Sequence, residues 1–373
     1  MRKFWIDNLR WVTVLLVLFY HVFYFYNNKG VFGGIGGFGT YPESPQYQDV
    51  VMFILYPWIM PLLFLVAGVS AKYALDKYSG KAWFKARTRK LLVPGTIGLL
   101  VFQWMTGYFN VRVASVAQGT DLTADIPGAL KYFAWSINGI GHLWFIQDLW
   151  LFSLIFLIIK ILDPSDKLHT WCGKLFENKA AIVWIILLGI FFWAGEHTQK
   201  MELTAVWAGL YNLYKPFFYF ILFLIGYYVF SHDHVQESLG KYWIPLMVVA
   251  LLSGICLIIN TFGEINTTPQ YLVSVPNCVY GWFACLALMG WFKACFDKTS
   301  AFAGYMARSS YGIYIVHYLV IGSLGYMMKM YTTLPPVAIY LILTVAVFVL
   351  SPLIYERLRR IPIARWCVLG EKR

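Results

Sequence analysis

Apolar runs about 20 residues long alternate with short polar segments along almost the whole chain, and several are apolar on every helical face. Membrane spans are predicted at Asn8 to Tyr26, Val50 to Leu75, Leu91 to Phe109, Leu143 to Leu162 and Ala180 to Ala194. Further spans are predicted at Leu213 to Phe230, Tyr242 to Phe262, Tyr271 to Phe292, Ser309 to Met328 and Leu334 to Tyr355. Ten spans put both termini on one side of the bilayer. The fold class expected is all-α, a polytopic membrane helix bundle forming one domain over residues 1–373 with no appended soluble domain. The first run lacks a small-residue cleavage site, so it is read as part of the mature protein rather than a signal peptide.

Composition agrees with the pattern: 60% of residues are hydrophobic, 13% are charged, and mean hydropathy is +0.62. The net charge of +12 is unevenly placed. With the termini inside, about 21 Lys and Arg fall in inner segments and about 6 in outer ones, whereas acids divide about 10 to 7. The termini are therefore expected in the cytoplasm of a multi-pass cell-membrane protein, a bacterial plasma membrane being the expected setting. The basic inner loop from Lys77 to Lys90 and the tail from Arg357 to Arg373 serve topology and attract anionic lipid. The same surface would attract a polyanionic metabolite.

Two ionisable residues sit inside the first apolar run. Arg10 and His21 are eleven residues apart, which places them within about 20° on one helix face and about 16 Å apart along it. Ionisable groups at membrane depth usually face a protein interior or a watery cavity and mark function. The plainer alternative is an arginine snorkelling to the headgroups and a packing histidine.

Other features carry less. None of the six cysteines is placed for an oxidised external pair, and no Cys/His metal spacing occurs, so no metal is expected. The HDH at His232 to His234 reads as a polar turn. Gly34, Gly36 and Gly39 match GxGxxG without the strand and helix that give that pattern meaning, and are read as a flexible outer loop.

DNLR followed by His21 at Arg-x10-His spacing resembles the acyltransferase family 3 membrane proteins. MPLLFLVAGVSA at Met60 to Ala71 and RTRKLLVPG at Arg87 to Gly95 resemble the family's second-helix motif and its Arg-x-x-Arg segment, here with Lys90 in the second basic position. GHLWFIQDLW at Gly141 to Trp150, SSYGIYIVH at Ser309 to His317 and YERLRRIPIARWCVLG at Tyr355 to Gly370 extend the likeness over the chain. The branch most resembled contains glucan biosynthesis protein C, a glucan succinyltransferase. The resemblance implies an O-acyltransferase that moves an acyl group from cytosolic acyl-CoA, with acetyl-CoA preferred and succinyl as an alternative. The implied acceptor is a hydroxyl of a cell-surface glycan or glycolipid, with no nucleic acid involved.

Residue chemistry supports such a reaction. Histidine has the pKa range for removing a proton from an alcohol near neutral pH, and His21 lies about 20 Å into an outward-running helix, in the outer half. Arg10, Arg87 and Lys90 are expected to form a basic mouth for the polyphosphate head of CoA. Asp148, about 9 Å deeper than His142 on an inward-running helix, is placed at a depth comparable with His21. It either orients the imidazole or bonds Trp and Tyr groups as a buried polar atom. His142 is a candidate for acceptor binding. His317, taken as about six residues into its helix, reads as a packing or donor-channel residue too far from His21 to share a proton. Glu356 is expected to pair with Arg10 or Arg87, and Asp7 to orient Arg10. Among the aromatics, Trp135, Trp144, Trp207 and Tyr211 are candidates for an outer sugar-stacking platform. A proton-coupled transporter or lipid flippase using Arg10, His21 and Asp148 is the alternative function, though no inverted repeat supports it.

Overall fold

In a computed structural model, residues 3–25, 50–177, 181–198, 214–261 and 272–372 are described, and every regular element among them is helical. The Gly34 to Gly39 loop, Trp207 and Tyr211 lie outside the described residues. The helices are α1 (Phe4–Phe25), α2 (Val50–Leu75), α3 (Gly80–Arg87), α4 (Trp104–Gln118), α5 (Gly128–Asn138), α6 (Trp144–Leu162), α7 (Lys167–Phe176), α8 (Ala181–Leu187) and α9 (Gly189–His197). They continue with α10 (Pro216–Tyr228), α11 (Asp233–Thr261), α12 (Val275–Cys295), α13 (Ala301–Tyr331), α14 (Pro336–Arg360) and α15 (Pro362–Cys367).

Seven of the described helices are long and apolar enough to cross a membrane, or eight if the pair 167–176 and 181–197, bent by 117°, counts as one span. The other expected spans are helical but differ in form. Helix α10 has 13 residues, about 20 Å of rise. The segment expected from Leu91 to Phe109 is broken around Pro94, a residue without an N–H to continue the ladder. Wide turns flank the break: Val93 N–H donates to Thr88 C=O at 3.2 Å and Gly98 N–H to Val93 C=O at 3.0 Å. Such π-type turns recur at functional sites because they re-aim side chains, and here the first lies on the basic Arg87 to Lys90 segment.

Helix α2 is central, packing on α1, α10 and α12. Its approach to α10 is close because the facing positions are Gly68 and Gly226: a Cβ would meet Phe223 O at 2.0 Å and Leu65 O at 2.1 Å. Helices α11 and α12 pair on one side, and α13 packs on α1 and α14 on the other. Helices α1 and α13 run parallel. At their starts Trp5 N–H donates to the Asp297 carboxylate at 3.1 Å, and Asn8 Nδ2 donates to the carbonyls of Phe296 and Lys298 at 2.7 Å each. That register fixes what meets farther along.

Candidate functional site

What meets is a cluster of histidines. His21 on α1 and His317 on α13 approach with Nδ1 to Nε2 at 2.9 Å. His142 precedes α6, which enters from the opposite end, and its ring centroid lies 4.8 Å from His317 and 6.4 Å from His21. All three rings are buried. The expectation that His317 is too shallow to reach His21 is therefore overturned. Helix α13 starts at Ala301, capped by the Ser300 side chain on Ala303 N–H, so His317 lies sixteen residues along it, about 24 Å. Its first two turns, AFAGYMAR, are too mixed to read as part of a membrane run.

The hydrogen bonds fix the tautomers, because a carbonyl can only accept. His317 Nδ1 lies 2.5 Å from Tyr314 C=O and so carries the proton. Its Nε2 then accepts from His21 Nδ1–H, and the lone pair of neutral His21 resides on Nε2. By the same logic His142 donates from Nε2 to Ile315 C=O at 3.2 Å. Gln103 Nε2 donates to that same carbonyl at 2.9 Å. The His142 lone pair is thus on Nδ1, which is buried without a partner among the described residues. Tyr318 stacks on His142 at 4.4 Å and meets His21 edge-on at 4.9 Å. A proton gained by His21 at Nε2 converts its bond to His317 into a charge-assisted one.

Beneath this cluster lies a cavity of about 1000 Å³. Its inner walls include Val14, Leu63, Val66, Phe145, Leu149 and Tyr314. Tyr314 joins cavity to cluster, since its carbonyl accepts from His317 and its hydroxyl donates to the His142 carbonyl. At the other end stand Arg10, Arg87 and Lys90, together with Lys85, Arg89, Arg308 and Lys372. No Asp or Glu is among the lining residues that are described. Arg10 is held by Asp7 at 2.9 Å, as expected for the i, i+3 pair. Lys90 lies over the Tyr311 ring at 4.4 Å, and Glu371 stands 3.8 Å from its Nζ. Burial, then the Arg10 charge, lowers Arg87 to about 10; burial likewise draws Lys90 down.

Two other expectations change. Asp148 does not orient His21: the Nδ1 position is taken by His317, and the level of His21 is that of His142. Asp148 lies six residues, about 9 Å, farther along toward the basic end, in the face of α6 that also carries Trp144 and Phe152. Its carboxylate is fully buried, near the Tyr214 backbone N–H and without a well-aligned hydrogen bond among the described residues. Glu356 pairs with neither Arg10 nor Arg87 but with Arg359 on its own helix at 3.3 Å, because the C-terminal end of α14 lies outside the cavity wall and the i+3 partner is nearer. Trp144 packs inside against Tyr214 and Tyr219 at 5.0 and 5.4 Å, rather than on an open platform. Sequence reasoning did not single out Tyr314, Tyr318 or Arg308; Ser300 as an N-cap signal would have placed them.

The acyltransferase 3 family model, described as an acyltransferase domain, matches residues 3–356. No curated protein and no solved structure matches the chain. The match spans nearly the whole length, so the chain belongs to the acyltransferase 3 family and is a multi-pass membrane acyltransferase.

Proposed function

We propose that this protein takes an acyl group, preferably acetyl, from cytosolic acyl-CoA and delivers it to a hydroxyl of an extracytoplasmic glycan or glycolipid. The observation that carries the reading is the connection through Tyr314. One residue lines the cationic cavity and also anchors the His317–His21 pair. A long thin donor with a polyphosphate head fits a cavity that is basic at the mouth and apolar within. The asymmetry of Lys and Arg supports a cytoplasmic mouth and both termini inside a bacterial plasma membrane.

In this mechanism Arg10, Arg87 and Lys90 hold donor phosphates by charge-assisted hydrogen bonds. His21 accepts the hydroxyl proton on Nε2 as the acceptor oxygen attacks the thioester carbon. The new C–O bond replaces the C–S bond, and His21 returns the proton to the departing sulfur. His317 keeps His21 in the required tautomer and shares the positive charge, a role filled elsewhere by a carboxylate. The bare Nδ1 of His142 accepts a hydrogen bond from the acceptor. Purified protein given radiolabelled acetyl-CoA and succinyl-CoA tests the reading: donor cleavage that His21→Ala abolishes supports it, whereas a folded wild-type protein that cleaves neither donor removes it.

A further inference from the structure

Seven cationic side chains surround the mouth of the large cavity, and two of them form ion pairs among the described residues. Arg10 pairs with Asp7 and Lys90 with Glu371. Lys85, Arg87, Arg89, Arg308 and Lys372 make no ion pair among the described residues. Arg89 Nε is in addition buried without a hydrogen-bond partner. Like charges gathered around one cavity repel unless something between them is negative. The arrangement is therefore more cationic than a diphosphate alone requires.

The cations fall into two tiers along α13. Tyr311 stands at the inner tier, where its hydroxyl donates to the Lys90 carbonyl and its ring lies under Lys90 Nζ. Arg308 is three residues earlier, about 4.5 Å closer to the helix start and the opening, and its side chain is exposed. Lys372 reaches the same opening because the tail is pressed onto the wide turn that carries Arg89 and Lys90. Gly370 has φ +61°, and a Cβ there would meet Arg89 O at 2.5 Å. Beyond it Glu371 N–H donates to Arg365 C=O at 3.1 Å while its carboxylate faces Lys90. Only glycine accommodates both that dihedral and that approach, so Lys372 is positioned rather than trailing.

Resting on the acyl-CoA reading above, we infer that Arg308 and Lys372 form a separate outer subsite for the 3′-phosphate of the donor. A phosphomonoester carries about −1.5 to −2 charge near neutral pH, which matches two unpaired cations. The inner tier of Arg10, Arg87 and Lys90 is left for the diphosphate. The subsite makes the protein a reader of the whole nucleotide. It distinguishes acyl-CoA from an acylated phosphopantetheine arm on a carrier protein, which lacks that phosphate.

The test is calorimetric titration of the full-length protein in detergent with CoA and with 3′-dephospho-CoA. Wild type is expected to bind CoA at least about tenfold more tightly, the loss of charge-assisted contacts setting the ratio. The double variant Arg308→Gln, Lys372→Gln should bring the two affinities within about twofold. Arg87→Ala should weaken both ligands and keep their ratio. Equal wild-type affinities, or discrimination that survives in the folded double variant, would overturn the subsite while leaving acyl-CoA as donor. Failure of folded wild type to bind either ligand would overturn the subsite together with the donor reading.

Discussion

His21 Nδ1 and His317 Nε2 lie 2.9 Å apart across 296 residues of chain, and the carbonyl behind His317 sets the direction of that hydrogen bond. On the proposed mechanism the consequence is chemical: His21, the base, is oriented by a second imidazole, itself fixed by the backbone of its own helix. His317→Ala should lower kcat by about 10² with little change in donor KM, because tautomer and charge support are lost while the mouth is intact. His317→Gln, which can still accept from His21, should recover part of that loss. Steady-state kinetics on both variants separate this positioning role from simple packing, which would instead lower stability and leave the kcat-to-KM split unchanged.

Arg10, Arg87 and Lys90, each replaced by alanine, should weaken donor binding by about 10- to 100-fold, the worth of one charge-assisted contact. Direct titration of CoA measures this without relying on turnover. Unaltered affinity in all three folded variants would remove the mouth from the mechanism.

The pH dependence of binding follows from Arg87, held down to about 10 chiefly by burial and then by Arg10, and from Lys90, also lowered by burial. In the proposed mechanism both hold phosphate as cations, so donor affinity should hold near neutral pH and fall as pH rises toward about 10. A depressed cation loses its proton sooner than a free one, which sets the sign. Titrations across that range in wild type and Arg87→Ala check it: the variant should show the shallower decline.

Two carboxylates should differ sharply in their worth to stability. Glu196 and Lys215 pair at 2.8 Å with side chains 2% and 4% exposed, and Lys215 also lies near the rings of Tyr56, Tyr214 and Phe218. Glu196→Ala leaves a buried charge and should cost about 3–5 kcal/mol. Glu356 bonds Arg359 on a partly exposed helix end, so Glu356→Gln should change stability by less than about 1 kcal/mol. Thermal unfolding in one detergent compares them.

The helical membrane architecture was legible because hydrophobic period and span length report directly on a lipid-facing helix. The basic mouth was legible for a similar reason, since Arg87 and Lys90 stand just outside an apolar run. The partner of His21 was not. It depends on where α13 begins, and the small and aromatic residues Ala301 to Tyr305 carry no membrane-length signal, leaving Ser300 as the sole local marker. Asp148 was misplaced by depth counting along separate helices, which fixes rise within each helix but not the register between them. The break near Pro94 and the wide turns beside it arise from local backbone bonding that hydropathy does not record.

Single-turnover transfer by His21→Asn reports on the proton-transfer step itself. Asparagine retains a hydrogen-bonding side chain but cannot carry the acceptor's proton. With acetyl-CoA prebound, the rate should fall by about 10² to 10⁴ relative to wild type, while the donor dissociation constant stays within about twofold. Transfer at wild-type speed in a folded His21→Asn protein would exclude His21 as the base.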